Sequence, residues 1–103
     1  MPISSKQRAQ LRGLAMELDT IIQVGKGGIS DSLVDSVNAA LKARELVKGR
    51  VLENSMLTAR EACDALCERC GAEGVQVIGT KFVLYKRNEK EPKIVLVKDK
   101  KKT

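Results

Sequence analysis

The chain has 103 residues, of which 43% are hydrophobic and 31% are charged, and its formal net charge is +6. This length suits one domain with its own hydrophobic core, and no apolar run approaches the ~20 residues that a membrane span requires. Residues 1–8 contain no apolar signal core, so we expect a cytoplasmic protein with no membrane partner.

The positive charge is concentrated near the C-terminus. Residues 1–80 contain ten basic and ten acidic side chains, whereas residues 81–103 contain nine basic and three acidic ones. Such an asymmetry is typical of a chain with a polyanionic partner, most often a nucleic acid. A solubilising C-terminal tail is the alternative explanation for the last few lysines.

The first part of the chain predicts a helix and then a strand. Ser4-x-x-Gln7 is a capping-box pattern, and apolar residues follow at helical spacing, so a helix is expected over residues 5–17. Residues 20–24 are short, apolar and rich in β-branched side chains, which indicates a buried strand.

The loop Gly25-Lys26-Gly27-Gly28 joins that strand to a second helix, which Ser30 is placed to cap. Three glycines in four positions allow another molecule to approach the backbone closely, and the helix N-terminus favours an anion there. The loop therefore predicts contact with a sugar-phosphate backbone. A plain turn is the alternative, and Asp31 supports it because its carboxylate would repel a phosphate.

The second half of the chain predicts one more helix and three more strands. A strand is expected over residues 45–52 with a bulge at Gly49, and Thr58-x-x-Glu61 is a second capping box that begins the third helix. Residues 75–78 and 82–86 predict a hairpin around Gly79, and residues 94–97 a weaker strand or extended arm. The resulting α-β-α-β-α-β-β order predicts a single-domain α/β sandwich, a mixed sheet with its helices packed on one face.

The sequence contains no convincing catalytic or metal-binding pattern. There is no histidine, and Cys63, Cys67 and Cys70 lie on one face of a single helix, where buried packing explains them better than zinc or redox chemistry does. Phe82 and Tyr85 are the only aromatic residues, too few for a base-stacking platform. We therefore expect a binding module that has no enzymatic activity, no cofactor, no metal and no small-molecule substrate.

Four ordered motifs resemble a known family. They are Leu11-Arg12-x-x-Ala15, Val24-Gly25-Lys26-Gly27-Gly28-Ile29, Glu45-Leu46-Val47-Lys48, and Val75-Gln76-Val77-Ile78-Gly79 leading to Val83-Leu84-Tyr85. Together they resemble the CRM domain (chloroplast RNA splicing and ribosome maturation) in its stand-alone bacterial YhbY-like form. The resemblance extends over residues 5–87.

The resemblance implies a fold similar to the C-terminal domain of translation initiation factor three. It also implies binding to ribosomal RNA in precursors of the large ribosomal subunit. The RNA-binding residues that it implies are Gly25, Lys26, Gly27 and Gly28 in the loop, with Arg8, Arg12 and Lys48 beside it. The family pattern Leu-Tyr-Arg is here Leu84-Tyr85-Lys86 followed by Arg87, so either Lys86 or Arg87 faces RNA.

From the residues and the resemblance together, we expect a CRM-like domain over residues 1–97, a basic tail over residues 98–103 and a monomeric state. The second hypothesis is a protein-interaction adaptor that docks on an acidic ribosomal or regulatory protein.

Overall fold

The computed structural model describes residues 3–88, 90, 94 and 96. Three helices and four strands follow one another as α1 (Ser5–Ala15), β1 (Thr20–Val24), α2 (Asp31–Arg44), β2 (Leu46–Val51), α3 (Ala59–Cys70), β3 (Glu73–Ile78) and β4 (Lys81–Tyr85). This order confirms the predicted one. The expected strand or arm at 94–97 falls outside the described residues except for Ile94 and Leu96, and the 98–103 tail falls wholly outside them.

Both predicted capping boxes are present. The Ser4 hydroxyl accepts the Gln7 N–H at 3.1 Å, and the Gln7 side chain accepts the Ser4 N–H at 3.0 Å. Thr58 and Glu61 make the same reciprocal pair at 3.1 and 2.9 Å. Each box satisfies two backbone donors that a helix start leaves open, and so fixes where α1 and α3 begin. Within the described part of the chain the longest helix has 14 residues, and no helix is long and apolar enough to cross a membrane.

The four strands form one mixed sheet in the order β1-β2-β4-β3. β1 runs parallel to β2, while β4 is antiparallel to both β2 and β3. The carboxyl ends of β1 and β2 therefore lie at the same edge of the sheet as the turn between β3 and β4. This edge is called the loop edge below, because the glycine loop follows β1.

The glycine in β2 serves a close approach and not a bulge. β2 pairs with β4 in continuous register, and Gly49 lies directly opposite Phe82. A Cβ at position 49 would lie 2.5 Å from Cζ of Phe82, so only glycine admits the ring. The irregularity lies instead in β1, between Thr20 and Ile22. The predicted bulge at Gly49 was thus wrong, because the missing side chain is needed for packing across the strands.

The helices cover both faces of the sheet. α2 and α3 pack on the larger core, which includes Phe82 and Leu84 of β4. Leu11 and Ala15 of α1 pack on the other face, against a smaller core of Leu46, Val75, Val83 and Tyr85. The α/β class and the mixed sheet are confirmed, but the expectation of helices on one face needs correction for α1. The side chains of β4 point alternately to the two faces of the sheet and are apolar on both, so each face must pack against a helix.

A buried glutamate holds the chain that follows β4. Glu45 is fully buried, and its carboxylate oxygens accept the N–H groups of Asn88 and Ile94, each at 2.6 Å. Its backbone has φ 65° and ψ −38°, which is strained for a residue other than glycine. Ile94 and Leu96 pack on the smaller core. Glu45 therefore ties the segment after β4 to the domain.

Candidate nucleic-acid interface

The glycine loop is a tight turn with its two central residues exposed. The Gly28 N–H donates to the Gly25 carbonyl at 3.0 Å, which leaves Lys26 and Gly27 at the tip. Gly28 has φ 66°, a left-handed value that favours glycine. Nothing lies within 4 Å of a Cβ built at Gly27 or Gly28, so the loop backbone is open to a ligand.

The helix after the loop begins as predicted, and its acidic residue is paired. The Ser30 hydroxyl accepts the Leu33 N–H at 3.1 Å and caps α2. Asp31 accepts a hydrogen bond from the Arg69 guanidinium at 2.8 Å. This exposed ion pair adds little stability, but it places a positive charge next to the carboxylate. The repulsion that Asp31 would exert on a phosphate is thereby reduced.

Two further segments lie beside the glycine loop at the loop edge. The Leu52 N–H donates to the Val24 carbonyl at 2.9 Å, and the Val51 N–H donates to the Thr80 carbonyl at 2.7 Å. A Cβ at Gly25 would lie 3.5 Å from the Asn54 side-chain oxygen. The loop, the chain after β2 and the β3–β4 turn are therefore neighbours. A shallow cleft of about 530 Å³ runs beside them, and Arg50, Glu53 and Thr80 are among the residues that line it.

The sheet face that carries α1 presents like charges side by side near the loop edge. Arg50 of β2 lies directly opposite Lys81 of β4, and both side chains are exposed. Like charges directly opposite each other on neighbouring strands destabilise a sheet. Neither cation makes an ion pair with another described residue. The two cations thus form an open anion-attracting surface, which we call the cation pair.

The cation pair is absent from the sequence predictions. Arg50 shares its strand face with Lys48, two residues earlier, and this alternation is visible in the sequence. The contribution of Lys81 depends on the register between β2 and β4, which joins residues about thirty positions apart. Local patterns do not determine that register, so the pairing was missed.

The other predicted cations differ in position. Some are exposed to a ligand near the open sheet face, which is the part of the α1-bearing face that α1 leaves uncovered, and one belongs to the packing of α1. Lys48 lies on the same face as the cation pair, and its ammonium donates to the Ala15 carbonyl at 3.4 Å. Arg12 is exposed in the last turn of α1. Arg8 instead donates to the Gly74 carbonyl at the start of β3 and so ties α1 to the sheet. The 3.4 Å contact of Lys48 is long for a hydrogen bond, so its ammonium and the exposed Arg12 are available to a ligand, while Arg8 mainly holds α1 in place.

Lys86 and Arg87 follow β4 at its far end. Lys86 is five positions after Lys81, which corresponds to roughly 17 Å along an antiparallel strand. The Lys86 ammonium donates to the Cys70 carbonyl at 2.8 Å and so caps the C-terminus of α3. A second cleft of about 360 Å³ is lined there by both residues together with Lys42 and Lys90. Of the two, Arg87 is the one not engaged in capping a helix.

Both aromatic side chains are buried and cannot stack on a base. Phe82 is 1% exposed and Tyr85 is 3% exposed, in the larger and the smaller core respectively. The hydroxyl of Tyr85 has no hydrogen-bond partner among the described residues. Burial raises the pKa of Tyr85, and the nearby Glu45 carboxylate raises it further. Both rings therefore serve packing, in agreement with the expectation that this chain has no base-stacking platform.

The three cysteines belong to the packing of α3. Cys63 and Cys70 are buried and Cys67 is half-buried, all on the side that meets the sheet. The hydrogen bond with Cys63 and burial raise the pKa of Cys67, while the same bond lowers the pKa of Cys63. Burial also raises the pKa of the Cys70 thiol. Within the described residues, no group of three or more His, Cys, Asp or Glu side chains is placed to hold a metal ion.

Known proteins resemble this chain in both sequence and fold. Residues 3–86 match the family model of the CRS1 / YhbY (CRM) domain. The chain is 38% identical to the probable RNA-binding protein YqeI of Bacillus subtilis over 94 residues, which are 91% of this chain and 98% of that protein. It is 33% identical to an RNA-binding protein of Haemophilus influenzae, covering 91% and 94% of the two chains. A solution structure of a Staphylococcus aureus protein, itself proposed to bind RNA, superposes with a TM-score of 0.77 at 37% identity, over 92% of this chain and 99% of that one.

Proposed function

The chain belongs to the CRS1 / YhbY (CRM) domain family, and on that basis we propose that it is an RNA-binding protein without catalytic activity. Within that function, we propose that its ligand is ribosomal RNA in a maturing large ribosomal subunit. The names of its relatives support the first proposal. The second rests on the resemblance of the four motifs to the stand-alone bacterial members of the family.

The observation that best supports the proposal is the position of the cation pair beside an exposed glycine loop. Arg50 and Lys81 repel each other across two strands, and this placement lowers stability unless an anion lies between them. The loop tip next to them holds Lys26 and an accessible backbone. An RNA backbone supplies anions at regular intervals, so a single ligand can engage both features.

In the proposed mechanism, the loop edge binds the RNA backbone and the open sheet face extends the contact. Gly25, Gly27 and Gly28 allow a phosphate to approach the start of α2, and Lys26 adds charge at the tip. Five cations then surround the path of the RNA: Arg12, Lys26, Lys48, Arg50 and Lys81. In this arrangement Arg8 and Lys86 position the elements that carry these cations, and Arg87 contacts RNA only at the far end.

Lys81→Thr should move stability and RNA affinity in opposite directions. Threonine keeps the strand propensity, and loss of the like-charge contact with Arg50 should raise the free energy of unfolding by about 0.2–0.5 kcal/mol. Loss of one phosphate contact should weaken RNA binding about 5-fold and make the slope of log affinity against log salt shallower by about 0.7–0.9. Urea titration and fluorescence anisotropy measure the two quantities.

Lys90→Thr is the matched control, because Lys90 is also exposed but lies at the far end of β4. It should leave both quantities nearly unchanged. If Lys81→Thr lowered stability and left RNA affinity unaltered, the cation pair would have no part in RNA binding.

The salt dependence of RNA affinity tests the proposed function as a whole. If about five phosphates are neutralised, the log–log slope should be −3.5 to −4.5, so affinity for a labelled ribosomal RNA fragment should fall roughly 100-fold or more between ~50 and ~200 mM salt. Weak affinity that does not change with salt would refute the proposal and favour the adaptor hypothesis.

A further inference from the structure

A small cleft lies on the open sheet face, between the end of α1 and the β3–β4 hairpin. Its volume is about 290 Å³, close to the lower limit of ~300 Å³ for small-ligand sites. Met16, Lys48, Gln76, Ile78 and Lys81 form its walls, and Val83 contributes to its floor. We call it the sheet cleft.

The sheet register explains why these side chains meet. Val83 at the centre of the sheet lies between Lys48 on one neighbouring strand and Gln76 on the other. Ile78 lies directly opposite Lys81, two residues nearer the loop edge than Gln76 and Val83. Directly opposite residues project from the same face of a sheet, so all five side chains surround one area. α1 ends at Ala15 and leaves that area uncovered.

The walls of the sheet cleft combine exposed apolar surface with polar groups. Met16 is 80% exposed and Ile78 is 62% exposed, although both are large apolar side chains. The side-chain amide of Gln76 is half-buried and has no hydrogen-bond partner among the described residues. Lys48 and Lys81 contribute positive charge, and no acidic side chain is among the residues that line the cleft.

These properties match one unpaired nucleotide better than any other part of a nucleic acid. A base has flat apolar faces that pack between apolar side chains, and an edge that an amide recognises through hydrogen bonds. Its phosphate is attracted to the lysines. A base inside a duplex is stacked on both faces and cannot enter a cleft on a sheet, whereas an unstacked base in a loop or at an end is accessible.

We propose that the sheet cleft binds a single unpaired base of the RNA, between Met16 and Ile78, with Gln76 reading its edge. This inference rests on the proposed function and adds base recognition to the backbone contacts at the loop edge. The RNA class that it specifies is a paired element with an unpaired nucleotide next to it.

Fluorescence anisotropy with the full chain tests the inference without any variant. The probes are a blunt RNA hairpin and the same hairpin with a two-nucleotide single-stranded extension, prepared in four versions that differ only in the base. We expect the extension to improve affinity roughly 5-fold, the lower end of what a base stacked on an aromatic ring contributes, because Met16 and Ile78 offer apolar contact without a ring. At least one base should be preferred over the others.

Two variants then locate the effect. Met16→Ala combined with Ile78→Ala should remove the gain from the extension and leave hairpin affinity within about 2-fold, since no charge changes. Gln76→Leu should keep the gain but abolish the preference among bases, because leucine cannot hydrogen-bond to a base edge. Met56→Ala is the matched control, because Met56 is 90% exposed and lies outside the cleft.

The outcomes separate this inference from the proposed function. If the wild-type chain fails to bind even the hairpin, the proposed function fails. If it binds hairpin and extended hairpin equally, the sheet cleft does not take a base, although the loop-edge proposal stands. A gain that persists unchanged in the Met16→Ala, Ile78→Ala variant would also overturn the inference, because the base would then bind elsewhere.

Discussion

Replacing Lys26 and Gly27 together by aspartate is expected to weaken RNA binding about 100-fold and to leave the fold intact. The change removes one cation from the loop tip and adds two carboxylates. Loss of one phosphate contact costs about 1 kcal/mol, and each new like-charge contact at ~4 Å in water costs about 1 kcal/mol more. A total of about 3 kcal/mol corresponds to a factor of roughly 100.

The structure accommodates both aspartates. Lys26 is exposed, and nothing lies within 4 Å of a Cβ at Gly27. The loop also keeps Gly28, the residue with the left-handed φ. We therefore expect the circular dichroism spectrum and the urea midpoint to match those of the wild-type chain, while anisotropy with a ribosomal RNA fragment reports the loss of binding.

Lys6→Asp combined with Ala9→Asp is the matched control for the loop variant. It alters the net charge by the same −3, at two exposed positions in the first half of α1. An acidic residue near a helix N-terminus is favourable, so the control should fold. It should weaken RNA binding by less than about 5-fold, through long-range charge alone. Equal losses in the two variants would mean that net charge, and not the loop, governs binding.

Glu45→Gln is expected to lower the free energy of unfolding by about 2–4 kcal/mol, the largest stability effect that we predict. Both carboxylate oxygens of Glu45 accept half-buried backbone N–H groups, from Asn88 and Ile94. Glutamine has only one side-chain oxygen. Its amide nitrogen would face the second backbone N–H, and two hydrogen-bond donors cannot pair. One charge-assisted hydrogen bond is weakened and one half-buried donor loses its partner.

The loss should be concentrated in the segment after β4. Amide hydrogen exchange at Ile94 should accelerate well beyond the global change in stability, because Glu45 holds that amide directly. Glu53→Gln provides the control, since Glu53 is exposed in the chain after β2 and should change stability by less than about 0.5 kcal/mol. A Glu45→Gln chain as stable as the wild type, with unchanged exchange at Ile94, would contradict the role given to Glu45.

Local patterns determine much of this fold and of the glycine loop. The capping boxes at Ser4 and Thr58 and the N-cap at Ser30 lie where the sequence predicts them. Each depends on residues three positions apart, so the nearby sequence contains all of the required information. The strand before the glycine loop and the helix after it follow from the same kind of evidence.

The features that the sequence did not predict depend on contacts between distant segments. The face on which α1 packs is set by the smaller core, to which α1 and β4 contribute residues some seventy positions apart. The bulge expected at Gly49 was replaced by a close approach to Phe82, a residue on another strand. The cation pair likewise exists only once β2 and β4 are in register.

The different structural roles of Lys86 and Arg87 after β4 also depend on tertiary structure. Lys86 follows Leu84 on the face of α2 and α3, and there it reaches the last carbonyl of α3. Arg87, which lies beyond the end of β4, lines the same cleft as Lys42 of α2 and does not cap a helix. Alternation along a strand predicts that the two side chains diverge, but only the position of α3 shows which of them caps a helix.

Ultraviolet crosslinking in cell lysate, followed by mapping of the crosslinked nucleotides, tests the central claim most directly. We expect the wild-type chain to crosslink to RNA of the large ribosomal subunit and its precursors, next to paired segments that carry an unpaired nucleotide. The Lys26→Asp, Gly27→Asp chain should lose these crosslinks, while the Lys6→Asp, Ala9→Asp chain keeps them. Crosslinks spread over unrelated RNAs, or an identical map for the loop variant, would contradict ribosomal RNA binding through the glycine loop.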